Sequence, residues 1–343
     1  MLKLEVVWFD SLGAKSSCSL ITTKAVSILL DPGAAIMQPS YPLARTEKLR
    51  LLRRAVKKIE EASRRADIIA ITHYHHDHYL KPYGKINIYE GKKLLIKDPN
   101  RWINLSQHGR AREFLKLLFG TRFDEILVEP EEKEYPDPVE KLDKALSKDY
   151  GPYSGRKAEL LEKGRRWFMG LTKLWGKESW IKDKFLNFEF ADGKRFEFGS
   201  TTIEISQPMF HGIEYDRTGW VIAVTVKEGK DTLLYSSDLM GPQIEDYADY
   251  IIKVRPKTII LDGPPIYLFP YMLNRINLNR AIENVIGIIR DSGSELIIYD
   301  HHLMRKKSYE RYMGKVYREA EKAGVKLLAA SQILGVKPLI DLL

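Results

Sequence analysis

Cysteine is nearly missing from this chain. Cys18 is the only one in 343 residues, so no disulfide can close within it, which fits a reducing cytoplasm. Long apolar runs are missing as well. No stretch reaches the roughly 18 uncharged apolar residues that a membrane-spanning helix needs, so neither an anchor nor a membrane partner is expected. The opening residues, Met1-Leu2-Lys3-Leu4-Glu5, bring charge in early and read as the start of a strand rather than a secretory leader. Low-complexity tracts and short-period repeats are also lacking. The expectation is a cytoplasmic protein, with assembly into homo-oligomers left open.

What is present supports a folded core. Apolar residues make up 44% of the chain and charged residues 29%, a balance that argues against disorder. Lys and Arg number 55 and Asp and Glu 46, a net charge of +9. That excess is spread along the chain and reads first as a solvated, salt-bridged surface of thermophile type. The sharper reading is an anionic partner, either a small molecule or a nucleic acid.

Strand patterns open the chain at 4–9 and 18–30, with a Gly/Ser turn at 11–17 between them. Asp31-Pro32-Gly33 stops the second run. A basic helix is expected at 47–65, then a short buried strand at 68–71 that opens directly into His73-Tyr74-His75-His76-Asp77-His78. Residues 92–185 read as a mostly helical insertion within one domain spanning 1–343. Its helices are expected at 111–119 and 156–175, with an acidic, proline-punctuated stretch at 129–140. Asp192-Gly193 marks a hairpin between 188–190 and 195–198. Strands at 202–206, 220–226 and 232–235 follow. Helices at 243–253, 279–290 and 306–323 then alternate with strands at 258–261, 295–299 and 325–328. Strands first and alternation later imply two packed sheets with helices outside.

Four of the eight histidines fall at 73, 75, 76 and 78, and two more at 301 and 302. Past a strand end, extended backbone puts positions 73 and 75 on the same side, so two imidazoles can approach one cation. Asp77 and His78, in the turn that follows, can face a second cation next door. His76 should point away. Burying so many polar groups unpaired would be costly, and cation binding resolves that cost.

The run His73-Tyr74-His75-His76-Asp77-His78 resembles the HxHxDH signature of the metallo-β-lactamase superfamily. Asp31 in LLDPG, His211 in QPMFHG, Asp238 in YSSDLM and His301-His302 in IIYDHH are similar, in chain order, to the superfamily's other motifs. The match covers nearly the whole chain outside the insertion and is closest to an archaeal branch of metallo-hydrolases. It implies an αββα sandwich holding two divalent metal ions, zinc first and manganese or iron as alternatives. It also implies His73, His75 and His211 on one ion, Asp77, His78 and His301 on the other, and Asp238 bridging. His301 is favoured over His302 as the ligand, because it comes first after the strand and Arg305 follows four positions on. The other histidine is left to donate a proton, so Asp77, His301 and His302 are the residues carried to a catalytic role. Asp31, and Asp262 in LDGPP, are candidates for holding the ligands from behind, although a plain turn aspartate fits both positions. Leu80 and Ser237 depart from the superfamily pattern, since small residues are common at both places.

For the substrate, the segment KDPNRWINLSQHGRAR offers Lys97, Asn100, Ser106, Gln107, Arg110 and Arg112 as donors to an anion. A polar helix start with a solvated face is the favoured explanation of them. His108, in the same segment, has no partner at ligand spacing and is expected at the surface. Residues 156–175 place Leu160, Trp167, Leu171 and Leu174 at helical spacing among Lys and Arg. That pattern fits packing better than a nucleic-acid platform. The expected function is a dinuclear hydrolase acting on phosphodiesters, with lactone, thioester or other ester hydrolysis as the alternative. A non-catalytic, metal-bearing nucleic-acid-binding protein is the third reading.

Overall fold

The computed structural model describes residues 2–82 and 87–343. In chain order the first half contains β1 (Lys3–Phe9), β2 (Ser17–Thr22), β3 (Ser27–Leu30), α1 (Arg45–Ser63), β4 (Ile68–Ile71) and β5 (Lys93–Ile96). Next come α2 (Leu105–Phe119), β6 (Leu127–Val128), α3 (Asp143–Ser147), α4 (Ser154–Trp175), β7 (Trp180–Ile181), β8 (Lys184–Phe185) and β9 (Phe188–Phe190). The second half contains β10 (Arg195–Phe198), β11 (Thr201–Ile205), β12 (Met209–Phe210), β13 (Trp220–Val221), β14 (Val224–Glu228) and β15 (Asp231–Tyr235). It closes with α5 (Glu245–Val254), β16 (Thr258–Leu261), α6 (Arg275–Asp291), β17 (Leu296–Tyr299), α7 (Tyr309–Ala323), β18 (Lys326–Leu328) and α8 (Ala330–Ile333).

Two seven-stranded sheets form among the described residues. One runs β1-β2-β3-β4-β5-β9-β8 and the other β10-β11-β14-β15-β16-β17-β18. Strands β3, β4, β5 and β9 are parallel neighbours, as are β15 to β18. Side chains alternate across each strand, so every central strand has two faces to bury. One face of each sheet packs against the other sheet. Ile28, Leu30, Ile68, Ala70 and Leu95 there share a cluster with Ile203, Val224, Val226, Leu233, Ile260 and Ile298. The opposite faces carry helices. Ile69, Ile71, Leu94 and Ile96 lie with Ile59 and Phe114 of α1 and α2, while Ile259, Leu261 and Ile297 lie with Ile251, Ile288 and Met313 of α5, α6 and α7. This is the expected αββα sandwich, and among the described residues no helix is long and apolar enough to cross a membrane.

Several sequence expectations shift in detail. The run at 18–30 is not one strand but the hairpin of β2 and β3, turned where the Thr23 hydroxyl accepts from the Val26 N–H at 3.1 Å. No Gly or Pro marks that turn. β5 falls inside the stretch expected as a helical insertion, yet it is paired on both sides in the first sheet. The helical segments therefore start after it. α2 begins six residues earlier than expected, because the Asn104 side chain accepts the Gln107 N–H at 2.7 Å and caps it. α4 packs on the body of the fold, as expected. Phe168, Leu171 and Trp175 are buried, and Trp167 stacks on Trp220 at 5.7 Å and 2°.

Ile260 stands in the middle of the inter-sheet layer. Ile260→Ala should cost about 2–5 kcal/mol, read as a lower denaturant midpoint with unchanged slope. A loss below about 1 kcal/mol would show that the two sheets do not interdigitate there.

Candidate metal centre

Strand ends carry the side chains that converge. Asp10 follows β1, Asp31 follows β3, and His73 and His78 follow β4. His211 follows β12, Asp238 follows β15, Asp262 follows β16, and His301 and His302 follow β17. Parallel strands end on one side of a sheet, so their carboxyl-terminal loops share one rim, which is where α/β sheets gather sites. The chain must approach itself closely there. A side chain at Gly33 would meet the backbone of His78 and Tyr79 at 2.1–2.4 Å, so only glycine lets the Asp31-Pro32-Gly33 turn lie against the histidine loop.

Asp238 is the centre of the cluster and is buried. Its Oδ2 lies 3.4 Å from His73 Nε2, 3.1 Å from His78 Nε2 and 3.3 Å from His211 Nε2. Its Oδ1 lies 3.5 Å from His301 Nε2. His73 Nε2 and His75 Nδ1 face each other at 3.1 Å. The donor atoms of His73, His75, His211 and Asp238 could hold one metal ion, and those of Asp77, His78 and His301 another. Burial and the neighbouring His78 push the His73 imidazole down to about 4. Burial also opposes the Asp238 charge, but His78, His301, His302 and His73 outweigh it and hold the carboxyl well below its usual range.

The residues present fit a cation pair. The Nε2 of His78, both ring nitrogens of His211 and the Oδ1 of Asp238 are buried without a hydrogen bond among the described residues. Such atoms are costly unless a ligand meets them. Imidazole and carboxylate together form a donor set suited to Zn²⁺.

Other side chains hold these donors from behind. Asp31 accepts from Thr72 N–H at 2.7 Å, Thr72 Oγ1 at 2.6 Å and Tyr235 OH at 2.7 Å, and meets His78 Nδ1 at 2.8 Å. That places the His78 proton on Nδ1 and leaves Nε2 facing Asp238. Asp262 accepts the N–H groups of Leu239 and Met240, at 3.1 and 2.6 Å, shaping the loop after Asp238. It also stands 3.4 Å from His302 Nδ1. Burial, and then the Asp238 charge, push its carboxyl well up. Ser237, where the superfamily often has glycine, adopts φ 55°, and its hydroxyl meets Thr72 Oγ1 at 2.6 Å. A side chain is kept in a strained conformation for that contact. Leu80, the other departure, packs partly buried on the helix-side core.

Asp10 is the residue sequence reasoning missed. It is fully buried. One carboxylate oxygen meets His301 Nδ1 at 3.0 Å, and the other accepts from His302 N–H at 2.9 Å and Arg305 Nε at 2.5 Å. An aspartate closing the first strand in WFDS was the only signal, and nothing local ties it to residues almost three hundred positions away. Arg305 Nη2 also donates to Asp77 Oδ2 at 3.2 Å. It stands 3.4 and 3.2 Å from the two ring nitrogens of His301, nearly equidistant, so it lies over the ring face rather than along a lone pair. His301 Nε2 also faces Asp238 Oδ1 at 3.5 Å and Asp77 Oδ2 at 3.7 Å. His76 is exposed, as expected, with its ring against Tyr79.

The expected substrate donors are placed differently. Asn100 exchanges both amide groups with the Ile181 backbone at 2.8 Å, and Gln107 accepts from Tyr74 N–H at 2.9 Å and donates to the Thr218 carbonyl at 2.5 Å. Both side chains are buried, which corrects the expectation that they grip a substrate. Lys97 is buried against Asp192 at 2.6 Å, and Arg112 donates to the Pro99 and Ser179 carbonyls. Ser106 is exposed and Arg110 half-buried, both on α2. His108 is not at the surface. It is buried, and burial together with Arg112 pushes it down to about 4.

No family model matches the chain. A UPF0282 protein of Methanocaldococcus jannaschii is 32% identical over 345 residues, covering 96% of this chain and 91% of that protein. Another, from Sulfurisphaera tokodaii, is 32% identical over 340 residues, covering 98% and 89%. The chain belongs to the UPF0282 family. Among solved structures, the metallo-β-lactamase fold protein YhfI from Bacillus subtilis is similar over 95% of this chain and 94% of its own, at 12% identity and a TM-score of 0.39. The metallo hydrolase Igni18 from Ignicoccus hospitalis is similar over 94% and 92%, at 11% identity and a TM-score of 0.37.

The loop after His211 is locked by a buried ion network. Glu214 contacts Lys157 of α4 and meets Arg280 of α6 at 2.7 Å, and Arg280 also meets Glu245 at 2.6 Å. Burial opposes the Glu214 charge, yet Arg280 and Lys157 hold its carboxyl down to about 2 from the ordinary 4.5. A depressed acid contributes stability that is complete above its unfolded value and is lost as pH falls through the folded one. The stability gap between the native chain and Glu214→Gln should therefore close as pH falls from about 4.5 to about 2. Chemical denaturation at a series of pH values measures it, and a gap constant across that window would remove Glu214 from the network.

Proposed function

We propose that this UPF0282 chain is a cytoplasmic metal-dependent hydrolase with a dinuclear centre, acting on phosphodiester bonds. One observation carries the reading. Four donor atoms from three loops, His78 Nε2, both ring nitrogens of His211 and Asp238 Oδ1, are buried without a hydrogen bond among the described residues, and their residues belong to His/Asp groups whose ligand atoms lie within 4.8 Å of one another. His73, His75 and His211 would hold one ion, Asp77, His78 and His301 the other, and Asp238 both. When bound, two divalent ions, Zn²⁺ by donor type with Mn²⁺ or Fe²⁺ as alternatives, supply a solvent molecule of lowered pKa and a Lewis acid.

The chain's own residues do the rest. Asp31 and Asp10 fix the tautomers of His78 and His301, so each presents Nε2 inward. Arg305 and Asp77 hold each other at the second-ion side. His302 stands outside the Asp77 group, with Nδ1 near Asp262 and Nε2 3.8 Å from Asp238. It is the candidate to give a proton to the leaving group. The phosphodiester preference rests on the basic chain, +9 net. A nucleic acid and a small nucleotide are its two forms.

Turnover of bis-p-nitrophenyl phosphate, present with divalent ions and abolished by chelator, tests the reading. Hydrolysis of a lactone or thioester but not of this diester would move the substrate class. Absence of any turnover, with two ions bound, would overturn the enzyme itself. Asp238→Ala should lose at least one of two ions and about a hundredfold or more in rate. Two ions per chain by elemental analysis in that variant would refute the bridge. Asp31→Asn should weaken ion binding by about 10–100-fold while the ligands stay in place.

A further inference from the structure

Beside the centre lies a cation that makes no ion pair among the described residues. Lys15 lies in the turn between β1 and β2, and its backbone exchanges two hydrogen bonds of 2.9 Å with Ala35. Ser16, the next residue, pins that turn. Its hydroxyl donates to the Gly33 carbonyl at 2.6 Å, its N–H to Asp10 Oδ1 at 3.0 Å, and its carbonyl lies 3.0 Å from His301 Nδ1. Lys15 is therefore one residue from direct contact with a proposed ligand. Its side chain is partly buried, and its ammonium makes no hydrogen bond or ion pair among the described residues. Burial and Arg305 press its pKa downward, while Asp77 and Asp10 act the other way, so the amine sits within reach of their charges.

An ammonium is strongly hydrated, and lysine is rarely drawn inward without a partner. A purely structural Lys15 would be expected to close on a carboxylate whose charge acts on it, such as Asp77. Asp77 instead accepts from Arg305, and Arg305 is in turn held by Asp10 and Tyr267. The guanidinium is engaged, and the amine has neither hydrogen bond nor ion pair among the described residues. Of the donors once expected for a substrate, Asn100, Gln107 and Arg112 are bound to backbone and Lys97 to Asp192, while Ser106 is exposed and Arg110 half-buried.

We propose that Lys15 is a substrate-binding residue that takes a phosphate oxygen beside the second-ion half of the centre. This rests on the hydrolase reading. Lys15 touches none of the proposed ligands through its side chain, so ion content is an independent readout.

The test uses the full chain loaded with Zn²⁺, inorganic phosphate as probe, and Lys15→Met and Lys15→Arg as variants. Ion content is measured first. Phosphate affinity is then read by calorimetry, and KM and kcat on bis-p-nitrophenyl phosphate alongside it. Lys15→Met should keep two ions and bind phosphate about tenfold more weakly, the equivalent of one charge-assisted contact. Its KM should rise more than its kcat falls, and Lys15→Arg should restore most of the affinity. Unchanged phosphate affinity in Lys15→Met with both ions present would overturn the proposal and leave the hydrolase reading standing. A native chain that takes up no ions would overturn both.

Discussion

A single carboxylate with no access to solvent sets the terms for this structure. Asp238 sits where water cannot neutralise it, and it is ringed by imidazoles from the loops after β4, β12 and β17. A buried charge is tolerated only when its surroundings are organised to meet it. Those surroundings are organised two shells deep. Asp31 stands behind His78, Asp10 behind His301 and Asp262 beside His302, whereas His73 is backed only by the hydroxyls of Thr72 and Ser237. The two halves are thus unlike. The Asp77 half is backed by carboxylates and by Arg305, and the His73–His75–His211 half is nearly neutral. A carboxylate behind an imidazole fixes its tautomer and raises its basicity, so the two halves differ in donor strength as well as position.

That arrangement depends on both sheets. Asp10, Asp31 and the histidine run come from the first sheet, and Asp238, Asp262 and the His301–His302 pair from the second. The inter-sheet layer of Ile, Leu and Val therefore fixes the distance between the two halves of the centre. Shifting one sheet against the other would separate Asp10 from Arg305 and Asp31 from Tyr235, and both pairs are fully buried. The same contacts that order the site also lock the sheets together.

How much of this could be read from sequence follows from distance along the chain. The run from His73 to His78 is legible because its donors are neighbours and their spacing implies convergence. The other stations are legible only through resemblance, and the sandwich itself through the order of strand and helix patterns. Asp10 was not legible, since an aspartate after a strand is indistinguishable from a turn residue until His301 is seen against it. The β2–β3 hairpin was hidden because a Thr23 hydroxyl makes its turn without glycine or proline. His108 illustrates the opposite failure, where a polar residue in a polar segment was placed at the surface although α2 buries that face.

Asn100 and Gln107 show why residue type alone misleads about substrates. A sequence lists donors but not whether backbone has already taken them. Gln107 joins Tyr74 N–H, inside the histidine run, to the Thr218 carbonyl, in the loop that follows His211. Asn104, which caps the same helix, donates to the Arg217 carbonyl at 2.6 Å. One helix start thereby clamps the two loops that bring His73, His75 and His211 together, and Glu214 with Lys157 and Arg280 repeats the clamp from α4 and α6. The helical segments between β5 and β7 thus brace the centre at this place, through side chains already engaged with the chain's own backbone.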